Sequence, residues 1–257
     1  MENGVLADRV ALITGSSRGI GRAVAERLAK AGADIVLNHR QDKPRSIRQV
    51  EEVAGSIRSL GRRVSIIRAD ISVREDVKEM FQQVRQEMGR LDFLILNAAR
   101  APFKPIEKLF EREVRQLVDT NYTGNIFCIQ EAVPLLAETG GQVIFISSLG
   151  SRFYNPVYPL GSMKAAMEAV IRDISEELRP KGINANAVCG GIVKTDSFKV
   201  LRQYWENLEL VPEEFLLSPE EIADAVYLLC LPEANAIRGQ TLVVDKGISN
   251  RINRGIT

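Results

Sequence analysis

The chain has 257 residues, 45% of them hydrophobic, and its 34 basic and 33 acidic residues leave a net charge of +1. That length suits one large α/β domain, and the near balance of charge gives no support for a nucleic-acid-binding protein, which usually carries a clustered basic excess. The sequence has no apolar run that could span a bilayer, no secretory signal, three scattered cysteines and a single histidine, so we expect a cytoplasmic protein without a metal site.

Apolar runs alternate with amphipathic helical patterns along the whole chain. In chain order, the predicted strands are Arg9–Thr14, Asp34–Asn38, Val64–Arg68, Leu91–Asn97, Gln142–Ser147, Ile183–Val188 and Thr241–Val244. The predicted helices between them are Arg22–Ala31, Ser46–Leu60, Val73–Met88, Phe110–Leu136 and Ser162–Leu178. This alternation predicts βαβ units with right-handed crossovers. We therefore expect one Rossmann-type doubly wound domain over residues 1–257, with a seven-stranded, mainly parallel sheet and helices on both faces.

The least regular segment is 194–217, which holds the only tryptophan, Trp205, beside other aromatic residues. A long insertion near strand ends is often a substrate lid. A helical pair packed on the surface is the alternative prediction for this segment.

Three glycines follow the first predicted strand in the stretch TGSSRGIG, residues 14–21. Glycines there let the backbone turn sharply and approach a diphosphate, and the next helix offers its N-terminal N–H groups. Because the motif lies between a strand and a helix, it favours a dinucleotide site over an ordinary turn. The predicted cofactor contacts in this stretch are Gly15, Ser17, Arg18, Gly19, Ile20 and Gly21.

The second strand ends at Asn38 and is followed by His39 and Arg40, where an acid would bind the ribose hydroxyl of NADH. Arg40 and Arg18 are cations instead, which favours the 2′-phosphate of NADPH. The alternative is that Arg40 is only a solvated loop residue. Asp70, after the third strand, is a candidate to accept from the adenine amino group or to serve as the acid of the next turn.

These motifs occur in the order found in the short-chain dehydrogenases/reductases, which the chain resembles over essentially its whole length. The resemblance is carried by TGSSRGIG at 14–21, Asp70, NAA at 97–99, Asn121, ISS at 146–148, Lys164 and GQTLVVDKG at 239–247. In that family a serine, a tyrosine, a lysine and an asparagine carry the chemistry, and the lysine lowers the pKa of the tyrosine. The resemblance assigns the serine to Ser148, the lysine to Lys164 and the asparagine to Asn121.

The same resemblance implies further cofactor contacts and an assembly. The implied contacts are Asp70, Ile71, Asn97, Ala98, Lys164, Gly190, Ile192 and Thr195. Cys189 stands where the family usually has a proline, which predicts a looser backbone at that point. The family is usually tetrameric, so the resemblance implies a homotetramer with Phe110–Leu136 and the C-terminal strand as contact surfaces.

The family tyrosine does not match, because Leu160 stands four residues before Lys164 and leucine cannot donate a proton. The stretches ISSLGSRFYNPVYPLGSMKAAMEA, CGGIVKTD and IRGQTLVVD resemble the FabL-type enoyl-acyl-carrier-protein reductases. Those enzymes place the tyrosine further upstream, with six residues before the lysine, whereas Tyr158 here has five. Pro159 favours an extended Tyr158 that reaches the substrate from a loop. Tyr154 is the alternative proton donor.

The resemblance implies an NADPH-dependent reductase that reduces the enoyl double bond of an acyl thioester of the fatty-acid or polyketide type, with an acyl carrier protein as the candidate carrier. Tyr158 would hydrogen-bond the thioester oxygen, and Lys164 would hold the nicotinamide ribose. An atypical ketoreductase or another specialised biosynthetic enzyme is the first alternative. An NADP-binding protein without redox activity is the second.

Overall fold

The computed structural model describes residues 4–154, 157–201, 203–204 and 211–254. Its main sheet has seven strands, which are β1 (Val10–Ile13), β2 (Asp34–His39), β3 (Val64–Arg68), β4 (Phe93–Leu96), β5 (Gln142–Ser148), β6 (Asn184–Gly190) and β9 (Thr241–Val244). All seven are parallel, and their order across the sheet is β3-β2-β1-β4-β5-β6-β9. The central strands read as nearly continuous apolar runs because both faces of the sheet are covered.

The helices cover the sheet in two layers, each with its own apolar core. Helices α1 (Gly19–Lys30), α2 (Pro44–Ser59) and α8 (Pro219–Cys230) pack on one face. Helices α3 (Arg74–Met88), α5 (Gly124–Thr139) and α6 (Leu160–Glu177) pack on the other. The remaining short elements are α4 (Glu111–Val118), α7 (Asp196–Leu201), β7 (Ile192–Val193) and β8 (Leu216–Leu217). The predicted doubly wound α/β fold is therefore confirmed.

The helical region predicted over Phe110–Leu136 is present, but it is not one regular α-helix. The structure has α4, then a π-helical turn at Asp119–Thr123, then α5. Within the turn, Asn121 Nδ2 donates to Leu117 O at 2.7 Å and to Arg100 O at 2.8 Å. A side chain that competes for helix carbonyls in this way disturbs the regular ladder.

The looser backbone predicted at Cys189 is wrong. Strand β6 runs through Cys189 to Gly190, and Cys189 pairs with Ser147 on one side and Val243 on the other. Its side chain is fully buried. Pairing with both neighbouring strands holds this backbone in place without a proline.

All seven strands end at the same edge of the sheet, and the strand order reverses between β1 and β4. In open parallel sheets this edge, at this reversal, is where ligands bind. The small β7–β8 sheet brings Leu216–Leu217 beside the chain that leaves β6. In the described part of the chain, no helix is long and apolar enough to cross a membrane.

Candidate active site

A cavity of about 870 Å³ runs along the carboxyl ends of the strands. It brings together most of the residues predicted from the sequence. Those that line it are Gly15, Ser17, Arg18, Gly19, Ile20, Arg40, Asp70, Ile71, Asn97, Ala98, Ser148, Tyr158, Lys164, Gly190, Ile192 and Thr195. Gly21 and Asn121 do not line it. The described residues contain no group of three or more His, Cys, Asp or Glu side chains that could hold a metal ion.

The turn between β1 and α1 is shaped to receive an anionic group. Gly15 and Gly19 have φ of +65° and +56°, and a Cβ on Gly15 would stand 3.0 Å from Ala98 Cα. Residue types other than glycine rarely adopt this conformation. Arg18 caps α1 without a side-chain hydrogen bond, and the first turn of α1 has no acid. The dipole and N–H groups of this helix end therefore favour a phosphate.

Gly21 has a packing role beneath the turn. A Cβ there would stand 2.5 Å from both Asn97 Nδ2 and the Gly15 carbonyl oxygen. Asn97 Nδ2 donates to Thr14 O at 2.9 Å and to Gly15 O at 3.0 Å. Asn97 and Gly21 thus hold the turn in shape, and Asn97 also borders the cavity.

Two buried polar residues, Asn38 and His39, stand at the end of β2, and the cation Arg40 follows them. Asn38 is buried, accepts from the Gly15 N–H at 3.1 Å and donates to Ala69 O at 3.1 Å. Burial lowers the pKa of His39, so this ring is neutral at physiological pH. Arg40 therefore supplies the positive charge at the end of β2. Its guanidinium lies 3.8 Å from Asp70 Oδ2.

Asp70 takes the second of its two predicted roles. Its Oδ1 accepts from the Ser72 N–H at 3.0 Å and from the Ser72 hydroxyl at 2.7 Å, which shapes the turn before α3. Its Oδ2 faces Arg40. Arg18, the other predicted cation, lies 3.7 Å from Asp196 across the cavity mouth.

The sequence reasoning missed two further cations beside Arg40. Lys43 and Arg45 both line the cavity at the start of α2, on either side of Pro44, the first residue of that helix. The signal was present in the sequence, because a proline flanked by cations marks a positively charged helix start.

Tyr158 lies outside α6, as Pro159 predicted, since Pro159 is the N-cap of that helix. Its ring contacts Gly150, where a Cβ would stand 3.0 Å from a ring carbon, and stacks on Phe103 with centroids 6.0 Å apart. Burial raises the pKa of Tyr158 to about 12, and the Ser148 side chain opposes this rise. The residue keeps some solvent exposure. The direction of the change nevertheless keeps the phenol neutral at physiological pH.

This result differs from the lowered tyrosine pKa that the family resemblance implied. Ser148 Oγ is buried and has no hydrogen bond of normal geometry among the described residues, although it lies near enough to affect the Tyr158 pKa. The Ser148 hydroxyl is therefore free to turn toward a ligand. Two hydroxyls, those of Ser148 and Tyr158, therefore border the same part of the cavity.

Lys164 lies one helical turn into α6 and is almost fully buried. Its Nζ donates to Ile146 O at 2.5 Å and stands 4.6 Å from the centre of the Phe145 ring. Burial lowers the pKa of Lys164 to about 8, while the neighbouring Cys189 and Glu168 oppose the change. The ammonium form predominates at neutral pH.

Leu160 begins α6 and contributes an apolar surface to the cavity, although only 2% of the residue is exposed. The position four residues before Lys164 therefore lies at the site and offers no hydroxyl. Tyr154, the alternative donor, also lines the cavity, but it is 89% exposed.

Asn121 does not line the cavity, but its side chain holds the loop after β4 in place. Its Oδ1 accepts from the Arg100 N–H at 3.0 Å, so the side chain links the π-helical turn to the loop after β4. The Asn121 carbonyl oxygen accepts from Asn125 Nδ2 at 2.8 Å. Both the side chain and the carbonyl of Asn121 already have partners within the protein.

The predicted lid, 194–217, is only partly covered by the structure, and Trp205 lies outside the described residues. Of the described part, Phe198 and Val211 line the cavity. Tyr204 stacks on Phe103 with centroids 6.4 Å apart. These residues give the end of the cavity near Tyr158 an apolar wall.

The chain resembles known reductases over nearly its whole length. It is 37% identical over 259 residues to 1-cyclohexenylcarbonyl-CoA reductase of Streptomyces collinus, covering 95% of this chain and 88% of the relative. It is 31% identical over 245 residues to the 3-oxoacyl-[acyl-carrier-protein] reductase FabG of Staphylococcus epidermidis, covering 94% and 99%.

Solved structures show the same architecture. A short-chain dehydrogenase from Burkholderia cenocepacia in complex with NADP has a TM-score of 0.86 at 28% identity, covering 95% of this chain and 99% of that one. A short-chain dehydrogenase from Mycobacterium paratuberculosis bound to NAD also has a TM-score of 0.86, at 27% identity, covering 96% and 100%. The family model described as enoyl-(acyl carrier protein) reductase matches residues 15–249. The chain therefore belongs to the family of this model and, with it, to the short-chain dehydrogenases/reductases.

Proposed function

We propose that this protein is an NADPH-dependent reductase of the carbon–carbon double bond of an α,β-unsaturated acyl thioester. The observation that carries the proposal is the pairing of Leu160 with Tyr158. Leu160 fills the position four residues before Lys164 with an apolar side chain, and Tyr158 brings a neutral phenol to the cavity from the preceding loop. The relative that reduces 1-cyclohexenylcarbonyl-CoA, by its name an unsaturated acyl thioester, supports this choice.

The cofactor of this reaction is NADPH. Its diphosphate fits the turn at Gly15–Gly19 with the uncapped end of α1, and its 2′-phosphate fits the cations Arg40, Lys43 and Arg45. When bound, the nicotinamide supplies the hydride that reduces the β-carbon. The remaining chemistry is the stabilisation of the negative charge that reaches the thioester oxygen.

The residues around Tyr158 suit that task. A phenol that stays protonated donates a hydrogen bond to the developing enolate oxygen, and the Ser148 hydroxyl is available as a second donor. Lys164 holds the nicotinamide ribose and adds positive potential. The proton that completes the reduction goes to the α-carbon, and Tyr158 or water relayed from solvent supplies it.

A ketoreductase is the second candidate, favoured by the similarity to a 3-oxoacyl-[acyl-carrier-protein] reductase. Tyr158 would then protonate the alkoxide that forms when hydride is transferred to the carbonyl carbon of a ketone. An NADP-binding protein without redox activity is the third, although the buried Lys164 and the free Ser148 hydroxyl favour chemistry. That an acyl carrier protein carries the acyl group stays a prediction of the resemblance, and that the protein is cytoplasmic stays a prediction of the sequence.

The proposed homotetramer has support from exposed apolar residues on the predicted contact surfaces. Phe110 is 66% exposed at the start of α4, and Val114 and Leu242 are also exposed. Phe110 and Val114, four residues apart, are neighbours on one helix face, and adjacent exposed apolar side chains of this kind are typical of interfaces.

Two variants that each lose one hydroxyl test the proposed function. With NADPH and crotonyl-CoA, Tyr158→Phe should lower kcat by about 10²-fold or more, because the oxyanion loses its donor. Tyr154→Phe, the matched control, should stay within about two-fold, since that side chain is largely in water. Loss of nicotinamide absorbance measures both rates. Turnover of 3-oxoacyl thioesters in preference to enoyl thioesters would overturn the proposal in favour of the ketoreductase.

A further inference from the structure

One carboxylate anchors both ends of the segment from Ser147 to Ser151, which joins the last residues of β5 to the loop that carries Tyr158. Glu168 Oε1 accepts from Ser147 Oγ at 2.5 Å and from Ser151 Oγ at 2.7 Å. Ser148 and Gly150 lie between these two serines, and Gly150 packs against the ring of Tyr158. The carboxylate therefore holds the backbone on which the candidate proton donor rests.

The same carboxylate lies one helical turn after Lys164 on α6. Side chains four residues apart on a helix are neighbours. Both side chains reach the end of β5 at adjacent residues, since Lys164 Nζ donates to Ile146 O and Glu168 accepts from Ser147. The Glu168 side chain is only 16% exposed, so water screens its charge less than that of a surface acid.

Two other titratable groups around Lys164 are neutral near pH 8. Burial raises the pKa of Cys189 on β6 to about 11 and that of Tyr158, in the loop before α6, to about 12. Arg152 lies 3.8 Å from Glu168, but its side chain is 41% exposed, so solvent screens its positive charge. Among the described residues that act on the Lys164 ammonium, Glu168 is thus the one that carries a negative charge at working pH.

We propose that Glu168 is a positioning residue of this site, which anchors the 147–151 segment beneath Tyr158 and supplies the negative charge that keeps the buried Lys164 ammonium protonated. This inference rests on the proposed function for its catalytic meaning. The anchoring and the charge are separable, because glutamine retains an oxygen that accepts from both serines but has no charge.

The direct test follows the ionisation of Lys164 itself, without any substrate. In protein with ¹³C-labelled lysine, the Lys164 signal is assigned by its loss in Lys164→Met and then titrated from pH 6 to pH 11. Glu168→Gln should lower the midpoint by about one pH unit, because a nearby negative charge favours the ammonium form. Asp173→Asn removes an exposed acid of the same helix and should leave the midpoint unchanged.

Activity gives the second readout. The alkaline limb of the kcat/KM profile for crotonyl-CoA should move to lower pH in Glu168→Gln, with about a five-fold loss at pH 8 and little loss at pH 6. A residue that acts only as a structural acceptor would lower the rate equally at both pH values. Glu168→Asp keeps the charge and should restore the alkaline limb.

An unchanged Lys164 midpoint in Glu168→Gln would overturn the inference, as would an equal fall in Asp173→Asn. Should Glu168→Gln fail to fold, Glu168→Asp carries the test: a midpoint near that of the parent protein supports the role of the charge, and a fall of about one pH unit contradicts it. If the Lys164 midpoints differ between the variants as expected but the parent protein reduces no enoyl thioester, the proposed function is overturned and this inference stands.

Discussion

Lys164 is the single residue whose burial has the clearest energetic consequence. Its pKa is lowered from 10.5 to about 8 because burial disfavours the charged form. At neutral pH the folded protein nevertheless holds the proton, so folding bears the cost of burying this charge. The proposed function places this cation at the nicotinamide ribose, and its burial there lowers the free energy of unfolding.

We therefore expect Lys164→Met to abolish reductase activity and to raise the free energy of unfolding by up to about 3 kcal/mol at pH 7. The gain should shrink as pH rises from 8 toward 10.5. Over that range the unfolded chain binds the proton more tightly than the folded one, so the stability of the parent protein increases with pH. Urea unfolding at pH 7 and pH 9.5 measures the difference.

Lys181→Met is the control, because that lysine is exposed and should change stability by less than about 0.5 kcal/mol. A Lys164→Met protein no more stable than its parent at pH 7 would contradict the prediction. So would a difference that is equal at the two pH values.

At the scale of elements, the start of α6 is pressed against the segment that follows β5. Gly161, the second residue of α6, has no room for a side chain, since a Cβ there would overlap the carbonyl oxygen of Gly150. Gly150 in turn contacts Tyr158. The close approach of these two glycines fixes the distance between the helix that carries Lys164 and the loop that carries Tyr158.

Gly161→Ala should destabilise the protein by about 1–3 kcal/mol, because backbone must move to relieve the overlap. It should also lower kcat, since Gly150 and the Tyr158 ring shift with it. Gly55→Ala is the matched control, because Gly55 lies inside α2 with nothing within 4 Å of a Cβ. That change should stabilise by about 1 kcal/mol through helix propensity.

Thermal unfolding of both alanine variants checks this pair. A Gly161→Ala protein as stable as its parent would show that α6 and the segment before it are not in tight contact. The two substitutions add the same methyl group, so their difference reports the tertiary environment alone.

Regular elements and interruptions differ in how well the sequence predicts them. The strand and helix patterns from β1 to β5 follow apolar periodicity, which depends only on near neighbours along the chain. The π-helical turn at Asn121 depends instead on a hydrogen bond to Arg100, a residue 21 positions away. No periodic signal marks such a contact, so the sequence predicts the helical region there without its interruption.

At the scale of the whole molecule, the cavity joins segments that lie far apart in the sequence. The proposed NADPH site draws on the turn after β1, the end of β2, the start of α2 and the strands up to β6. Bound cofactor should therefore stabilise the domain as a unit, because it binds the folded state only.

At an NADPH concentration of 100 times Kd, the stabilisation should be about 2.7 kcal/mol, or a rise in Tm of roughly 5–10 °C. Arg40→Ala should lose most of this shift with NADPH and leave the response to NADH unchanged, since NADH has no 2′-phosphate. Scanning calorimetry or dye-based unfolding measures Tm.

Arg58→Ala is the control, because Arg58 is an exposed cation of α2 that pairs with Glu51. It should retain the full NADPH shift. Equal shifts with NADPH and NADH in the parent protein would contradict the assignment of the cations at the end of β2 to a phosphate.

Local patterns in the sequence predict the doubly wound fold and a glycine turn suited to a diphosphate, and the family resemblance assigns Lys164 to the site. The signals are the period of apolar residues, glycines between a strand and a helix, and motifs in a fixed order. Only the folded structure brings Leu160 to the cavity, buries Tyr158 so that its pKa rises, and places Glu168 within hydrogen-bond distance of both serines. These properties arise from burial and from contacts between segments that only the folded sheet brings together, so no stretch of sequence read alone contains them.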